Sequence, residues 1–171
     1  MSMTIAEKIL ARKGGRDRVR PGDIVTVETD TTILFDNNFM PANWHEILKV
    51  RDPDRIVVVL DHRVPAPNAM AAGAHVTARA FAKKFGIKRV HDVGYEQGIS
   101  HQLVADLGYG IPGTVLVCSD SHTCSAGVFN CLARGVGGPD VFYSAINAET
   151  WFRCGETVRY ELTGQLPKAV T

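Results

Sequence analysis

The sequence has no long apolar run and almost no excess of charge of either sign. None of its apolar stretches approaches the roughly 18 residues that a membrane-spanning helix needs, and residues 1–15 lack the apolar segment and cleavage site of a signal peptide. Nineteen basic and eighteen acidic side chains leave a net charge near +1, which provides no long-range attraction for nucleic acid or an anionic membrane surface. We therefore expect no nucleic-acid or membrane partner and a cytoplasmic location.

Cysteine is also scarce, and its spacing is not that of a close-paired CxxC ligand set. Without a secretory signal, stable disulfides are not expected. Cys118 falls in a predicted buried strand and Cys131 in a predicted helix, which favours small buried apolar side chains over metal ligands. Cys124, at the predicted start of that helix and near histidines, stays a candidate nucleophile.

What the chain does contain is an alternation of apolar runs and helical patterns. The run "RIVVVL" is typical of a strand buried on both faces of a parallel sheet. Strands are predicted in GDIVTVETD, DRIVVVLDH, IKRVHDVG, GTVLVCSD and TVRYELTG; helices are predicted from Thr4 to Gly14 with Ile5, Ile9 and Leu10 on one face, from Asn68 to Phe85, within QGISHQLVADLG, from Ser125 to about Arg134, and from Pro139 to near Phe152. This order predicts one layered α/β domain over residues 1–171, with a mainly parallel sheet and flanking helices.

Polar side chains follow three of the predicted strands. Asp61 and His62 follow "RIVVVL", His101 lies at the loop-to-helix step after "RVHDVG", and the run Asp120-Ser121-His122 follows "TVLVC". Because the carboxyl ends of parallel strands meet at one edge of a sheet, these groups are expected to share one crevice.

The residue types in this crevice suit acid–base chemistry. Imidazole exchanges protons near neutral pH, and a carboxylate bonded to its other nitrogen orients the ring and stabilises the imidazolium. Neighbouring side chains usually point apart, so Asp120 can pair with either His101 or His122. Ser121 suits either a helix N-cap or a contact to a substrate carboxylate.

The remaining motifs are interpreted as structural. His45 and His75 fall in predicted helices, and His91 falls within or just after a strand. The glycines of "RGVGGPD" lack the strand-GxGxxG-helix context of a phosphate loop and are interpreted as a helix-to-helix turn.

Three segments together resemble the aconitase superfamily, specifically the large subunits of 3-isopropylmalate and homoaconitate dehydratases. They are "LDHRVP", "VGYEQGISHQLVADLGYGIPG" and "VCSDSHTCSAGVFNCLARGVGGPDV", and the resemblance extends from about Gly22 to the end of the sequence. It implies the fold of the first aconitase domain. It also implies a hydro-lyase that interconverts 2- and 3-hydroxy isomers of a di- or tricarboxylic acid through an enoic acid, as in leucine biosynthesis.

The resemblance also implies a cofactor and roles for the crevice residues. A [4Fe-4S] cluster with one iron open to substrate polarises the leaving hydroxyl, while Asp/His pairs handle its proton. Asp61 with His62 resembles the pair that protonates this hydroxyl. The other implied roles are active-site imidazoles for His101 and His122, the partner of His101 for Asp120, and substrate-carboxylate binding for Ser121.

The sequence departs from the family pattern in two respects. The family usually has a His-acid-x-Thr/Ser element where this chain has Phe35-Asp36-Asn37-Asn38. The three cysteine ligands of the cluster and the serine base of the family lie outside the matched region, so no metal ligand is assigned to this chain. The resemblance therefore implies the N-terminal part of a longer large subunit, inactive alone, that needs its remainder and a small swivelling subunit or domain.

Two other functions stay open at the level of sequence. His62, His101 and His122 with an aspartate suit a self-contained hydrolase that uses zinc or another divalent metal ion. The same crevice also suits a non-catalytic module that binds an anion or assembles with a partner.

Overall fold

In the computed structural model, which describes residues 2–94 and 96–170, a parallel sheet lies between helices. Tyr95 of the second quoted motif therefore lies outside the described residues. In chain order the strands are β1 (Ile24–Glu28), β2 (Thr31–Phe35), β3 (Ile56–Val59), β4 (Arg89–His91), β5 (Val115–Cys118), β6 (Leu132–Gly135) and β7 (Glu149–Arg153), and the helices are α1 (Ile5–Lys13), α2 (Ala69–Phe85), α3 (Ser100–Asp106) and α4 (Gly138–Asn147).

Five of these strands form one sheet in the order β4-β3-β2-β5-β6, and every neighbouring pair is parallel. The three central strands, β2, β3 and β5, are buried along their whole length, which is why they consist of continuous apolar or threonine runs. Strands β1 and β7 pair separately as an antiparallel ribbon. The predicted α/β class with a mainly parallel sheet is confirmed.

Helices cover both faces of the sheet. On one face, Leu34 and Val58 pack against α2 and α4. On the other face, Ile33 and Val57 pack against Leu103 of α3. The alternation follows from the two-residue period of a strand, and it leaves the polar ends of the strands as the open edge.

The helix ends are set by the residues that the sequence indicated. Thr4 forms a capping box with Glu7 at the start of α1. Asn68 caps α2 through its side chain, and Gly86 ends that helix in the left-handed conformation, with φ of 66°. The prediction that Ile5 lies on the buried face of α1 was wrong. Its side chain is exposed, and only Ile9 and Leu10 of the predicted face are buried.

The prediction of a helix from Ser125 to about Arg134 was wrong. A short 3₁₀ helix spans Thr123–Phe129, Asn130 then takes a left-handed conformation, and β6 follows. Residues of β6 complete a parallel ladder with β5, an interaction over distance that outweighs local helix propensity. Cys131 therefore precedes a strand, and the glycines after β6 form a strand-to-helix turn.

Two predictions for the C-terminal part were also wrong. Helix α4 ends at Asn147, because Ala148 adopts a left-handed conformation and Thr150 and Phe152 then alternate as buried residues of β7. The segment TVRYELTG forms no strand and is exposed throughout, since no described strand pairs with it.

His45 lies in an irregular segment and not in a helix. The neighbouring Trp44 determines the path of this segment, because its ring packs against Phe39, Phe81 and Phe142. None of the helices in the described part of the chain has the length and apolar character that a membrane crossing requires.

Candidate active site

The ends of β2, β3 and β5 place three aspartates at one edge of the sheet. Phe35 at the end of β2 pairs with Val59 at the end of β3, and β5 runs parallel to β2 on its other side. Asp36, Asp61 and Asp120 follow these three strands within two residues. The predicted crevice at the carboxyl edge therefore forms as expected.

His62 lies among these three carboxylates. Its Nδ1 is 2.7 Å from Oδ1 of Asp61 and 3.8 Å from Oδ1 of Asp36, and its Nε2 is 3.4 Å from Oδ2 of Asp120. The ring also stacks on Phe35, with 4.5 Å between centroids. Adjacent residues do pair in this case, since Nδ1–H of His62 can donate to Asp61.

The surroundings of His62 favour its protonated form. Partial burial alone lowers the pKa of His62, but the hydrogen bond and charge of Asp61 and the charges of Asp36 and Asp120 outweigh this effect. The pKa of His62 is therefore raised above its ordinary value. A protonated imidazole that stays partly exposed can donate a proton to a bound molecule.

Asp61 is held in place by the first residue of α3. Its Oδ2 accepts hydrogen bonds from the backbone N–H and the hydroxyl of Ser100, at 2.8 Å and 2.6 Å. One carboxylate oxygen therefore binds the helix and the other binds His62. This arrangement leaves the His62 ring little freedom to rotate.

Asp120 connects the other two histidines. Its Oδ1 is 2.9 Å from Nε2 of His101, and it accepts a 2.7 Å hydrogen bond from the backbone N–H of His122. The His122 ring is a more distant partner, with its Nδ1 3.4 Å away, and its side chain is 81% exposed. The ring partner of Asp120 is thus His101, the pairing that the resemblance implied.

The pKa of Asp120 is lowered by these contacts. Burial alone raises the pKa of Asp120, but the hydrogen bonds from His122 and His101 and the charges of His101 and His62 outweigh it. Asp120 is therefore an anion over a wide pH range and can stabilise a positive charge on either nearby ring.

The sequence analysis missed Asp36 and His75 as residues of this site. Asp36 is fully buried; its Oδ2 accepts a 2.6 Å hydrogen bond from the backbone N–H of Arg63 and lies 3.9 Å from Nε2 of His75. Its Oδ1 and the Nε2 of His75 have no hydrogen-bond partner among the described residues. Asp36 directly follows β2 as Asp61 and Asp120 follow their strands, but β2 was not among the predicted strands. The run TTILF before Asp36 was the available signal.

Ser121 lies at the mouth of a cavity of about 550 Å3 beside Asp120. Its hydroxyl is 3.2 Å from Nδ1 of His122. His122, and not Ser121, occupies the N-cap position of the following 3₁₀ helix. Asp120 and Arg134 also line this cavity, so a hydroxyl, a carboxylate and a cation share its walls.

The two remaining histidines, His91 and His45, make no hydrogen bond or ion pair with the three aspartates among the described residues. His91 is buried, with Nε2 2.8 Å from the Tyr109 hydroxyl and Nδ1 3.1 Å from the Glu96 carbonyl oxygen, which agrees with a structural role. His45 lines a second cavity, on the other side of Ser119.

The cysteines do not assemble into a ligand set for an iron–sulfur cluster. Cys118, Cys131 and Cys154 are buried and Cys124 is exposed. Two groups of three side chains in the described ranges bring ligand atoms within 4.8 Å of one another, and neither contains a thiol: His101, Asp120 and His122 form one, and Asp36, Asp61 and His62 form the other. The residues present therefore do not fit a cysteine-bound cluster within this chain.

Comparison with known proteins gives one family. Residues 38–171 match the aconitase family (aconitate hydratase). The 3-isopropylmalate dehydratase large subunit of Mycolicibacterium smegmatis is 46% identical over 171 residues, which is 100% of this chain and 40% of that protein. A probable 3-isopropylmalate dehydratase large subunit of Methanothermobacter thermautotrophicus is 38% identical over 99% of this chain and 41% of its own length. The 3-isopropylmalate dehydratase large subunit of a Sulfurihydrogenibium species is 39% identical over 94% of this chain and 38% of its own length. The chain thus spans about 40% of the length of these relatives.

Proposed function

Because the chain belongs to the aconitase family, we propose that it forms the N-terminal domain of a hydro-lyase large subunit, over residues 1–171. The proposed substrate is a hydroxydicarboxylic acid of the 3-isopropylmalate type, because its relatives are named 3-isopropylmalate dehydratase large subunits. The observation that carries the proposal is the linkage of His62 and His101 through one carboxylate, Asp120, at the carboxyl edge of the sheet.

His62 is the proton donor to the leaving hydroxyl in this proposal. Its Nδ1 is bound to Asp61, which leaves Nε2, next to Asp120, as the atom that can release a proton. Loss of the substrate hydroxyl as water requires that proton, and the raised pKa of His62 favours the protonated ring that supplies it. In the reverse direction, the same nitrogen accepts a proton from the water that adds to the enoic acid.

His101 and Asp120 orient the other side of the site. Asp120 fixes the His101 ring through Nε2, so that Nδ1 is the nitrogen left for a substrate or water. The hydroxyl of Ser121 lines the cavity of about 550 Å3, where it can contact a substrate carboxylate, and the exposed ring of His122 lies 3.2 Å from that hydroxyl.

The cluster implied by the family supplies Lewis-acid polarisation of the hydroxyl when it is bound. Since the cysteines of this chain do not converge, we propose that its ligands come from the part of the large subunit that this chain does not match. The serine base of the family is likewise expected outside the matched region, and the small subunit is a separate partner. The cytoplasmic location stays a prediction from the sequence.

A second function has a specific observation in its favour. The ligand atoms of His101, Asp120 and His122 lie within 4.8 Å of one another, an arrangement that zinc could occupy. Under this alternative, a metal-activated water makes the chain a hydrolase. Zinc bound one to one by the purified chain, lost in His101→Ala, would support it.

The experiment uses the large subunit that carries this chain, produced without oxygen together with its small subunit. Interconversion of 2- and 3-isopropylmalate is measured alongside iron and sulfide content. We expect activity that depends on the cluster and falls by about 10²–10⁴-fold in Asp120→Asn. Asp54→Asn is the matched control, because this exposed carboxylate pairs with Lys88 at 3.9 Å. An active enzyme without iron, or an Asp120→Asn variant as active as the control, would refute the proposal.

A further inference from the structure

A second cavity, of about 610 Å3, lies on the other side of Ser119 from the cavity that contains Ser121. Of the described residues, one arginine and no acidic side chain line its walls. The polar side chains that line it are Asn37, Asn38, Asn43, His45, Arg63 and Ser119. This cavity is called the Arg63 cavity below.

The hydrogen bonds around the Arg63 cavity leave donors without acceptors. The Nε of Arg63 donates to Oδ1 of Asn37 at 2.9 Å, so the Asn37 amide directs its oxygen to the arginine. Its N–H₂ group donates to none of the residues that the structure describes. The two terminal nitrogens of Arg63 donate to no residue within the described ranges. The Ser119 hydroxyl accepts from Nδ2 of Asn38 at 2.8 Å, which leaves its own hydrogen available.

A site that offers a guanidinium, an amide N–H₂ and a hydroxyl hydrogen, with no carboxylate on its walls, fits an anion. The start of α4 adds to this preference, because Gly138 and Pro139 line the cavity and no side chain caps the helix there. The carboxylate of Asp140 lies beside Gly137 but does not line the cavity.

The Arg63 cavity is continuous with the crevice. Ser119 lines both cavities, and Phe35 lines the Arg63 cavity while its ring stacks on His62. Asp36 and Asp61 lie beside the His62 ring, and Asp120 lines the near wall of the cavity that contains Ser121, so their charges would repel a carboxylate placed next to that ring. A diacid that presents its hydroxyl to His62 therefore has its carboxylates on the two flanks.

We propose that the Arg63 cavity binds one carboxylate of the substrate and that the cavity containing Ser121 binds the other. This assignment rests on the proposed function for the identity of the diacid. It makes Arg63 and Asn37 substrate-binding residues, and Asn37 belongs to the segment where the chain departs from the His-acid-x-Thr/Ser pattern. The bidentate fork of Arg63 selects diacids over hydroxymonoacids.

Two ligands that differ by one carboxylate test the proposal on the 171-residue chain. The diacid is 3-isopropylmalate, and the monoacid is 2-hydroxyisocaproate, which lacks the carboxylate at C3. Binding is followed by amide NMR shifts of residues 119–122. We expect Arg63→Gln to weaken diacid binding about tenfold or more, with little effect on the monoacid. Arg63→Lys should fall between Arg63→Gln and the unaltered chain, and Arg153→Gln, an exposed arginine of β7, should have no effect.

The outcomes separate this proposal from the function on which it rests. Equal weakening of both acids by Arg63→Gln, no weakening of either, or no saturable binding of the diacid would overturn the assignment of the Arg63 cavity. These results do not depend on turnover. Selective loss of diacid binding would support the assignment even if the complete enzyme failed to interconvert isopropylmalates, a failure that would count against the proposed function alone.

Discussion

Nε2 of His101, on α3, lies 2.9 Å from Oδ1 of Asp120, which follows β5. The other oxygen of the same carboxylate lies 3.4 Å from Nε2 of His62, which follows β3. One anion thus serves two imidazoles from different strand–helix connections. Its charge can stabilise a proton on either ring. The stability of the fold and the proton transfer at the site should therefore depend on the same titrating groups.

The first prediction concerns the pH dependence of stability. The pKa of Asp120 is lower in the folded than in the unfolded state. Its ionised form therefore stabilises the fold at pH values above the unfolded-state pKa, and this contribution is lost as the pH falls through the folded-state pKa. The pKa of His62 is higher in the folded than in the unfolded state. Its protonated form therefore stabilises the fold at pH values below the unfolded-state pKa, and this contribution is lost as the pH rises through the folded-state pKa. The destabilisation by Asp120→Asn should therefore be largest between about pH 4 and 6.5, as measured by urea unfolding.

The control for this prediction is Asp92→Asn. Asp92 binds Arg79 with two hydrogen bonds, and the pKa of Asp92 is lowered chiefly by that contact. Because arginine stays protonated, the effect of this variant should not decline at alkaline pH. The destabilisation by Asp120→Asn, by contrast, should become smaller at alkaline pH because His62 loses its proton. An equal decrease for both variants would contradict this role of His62.

The second prediction concerns the proton on His62. Asp61→Asn keeps a hydrogen-bonding side chain beside His62 but removes the nearest negative charge, so the pKa of His62 should fall. Titration of the imidazole carbons by NMR measures this directly. Asp54→Asn removes an equal charge from an exposed carboxylate that pairs with Lys88, and it should leave the titration of His62 unchanged. An unaltered titration in Asp61→Asn would exclude Asp61 as the main partner.

The third prediction concerns thiol reactivity. Burial raises the pKa of Cys118 to about 12, and Cys131 and Cys154 are also buried, whereas Cys124 is exposed. Iodoacetamide at about pH 8 should therefore label the native chain at Cys124 alone, as mass spectrometry can establish. Cys124→Ser should remain unlabelled until urea exposes the other thiols. Native labelling of Cys118 at a comparable rate would show that β5 is less protected than described.

The fourth prediction concerns the backbone behind Asp120. A Cβ on Gly135 would meet the carbonyl oxygen of Asp120, and backbone cannot yield as a flexible side chain does. Gly135→Ala should lower the free energy of unfolding by about 1–3 kcal/mol and shift the NMR signals of Asp120 and His101. Gly73→Ala, with open space at its Cβ on α2, should stabilise the fold by about 0.5–1 kcal/mol. Equal stability of the two variants would argue against close packing of β6 on this loop.

The sequence by itself determined most of the helices and strands in the first two thirds of the chain, although the central strand β2 was not predicted. Continuous runs such as "RIVVVL" and end signals such as Asn68 and Gly86 are local, and local patterns suffice to place β3 and α2. Because parallel strands end at one edge, the same patterns also placed Asp61, His101 and Asp120 together before any coordinates were considered.

The tertiary structure decided the pairings. It joined Asp120 to His101 instead of the His122 ring, bound Asp61 to Ser100, and brought the buried Asp36 and His75 up behind His62. It also made residues 132–135 a strand and left TVRYELTG without one, against local propensity in both cases. These outcomes depend on contacts between residues far apart in sequence, whose energies no local window contains.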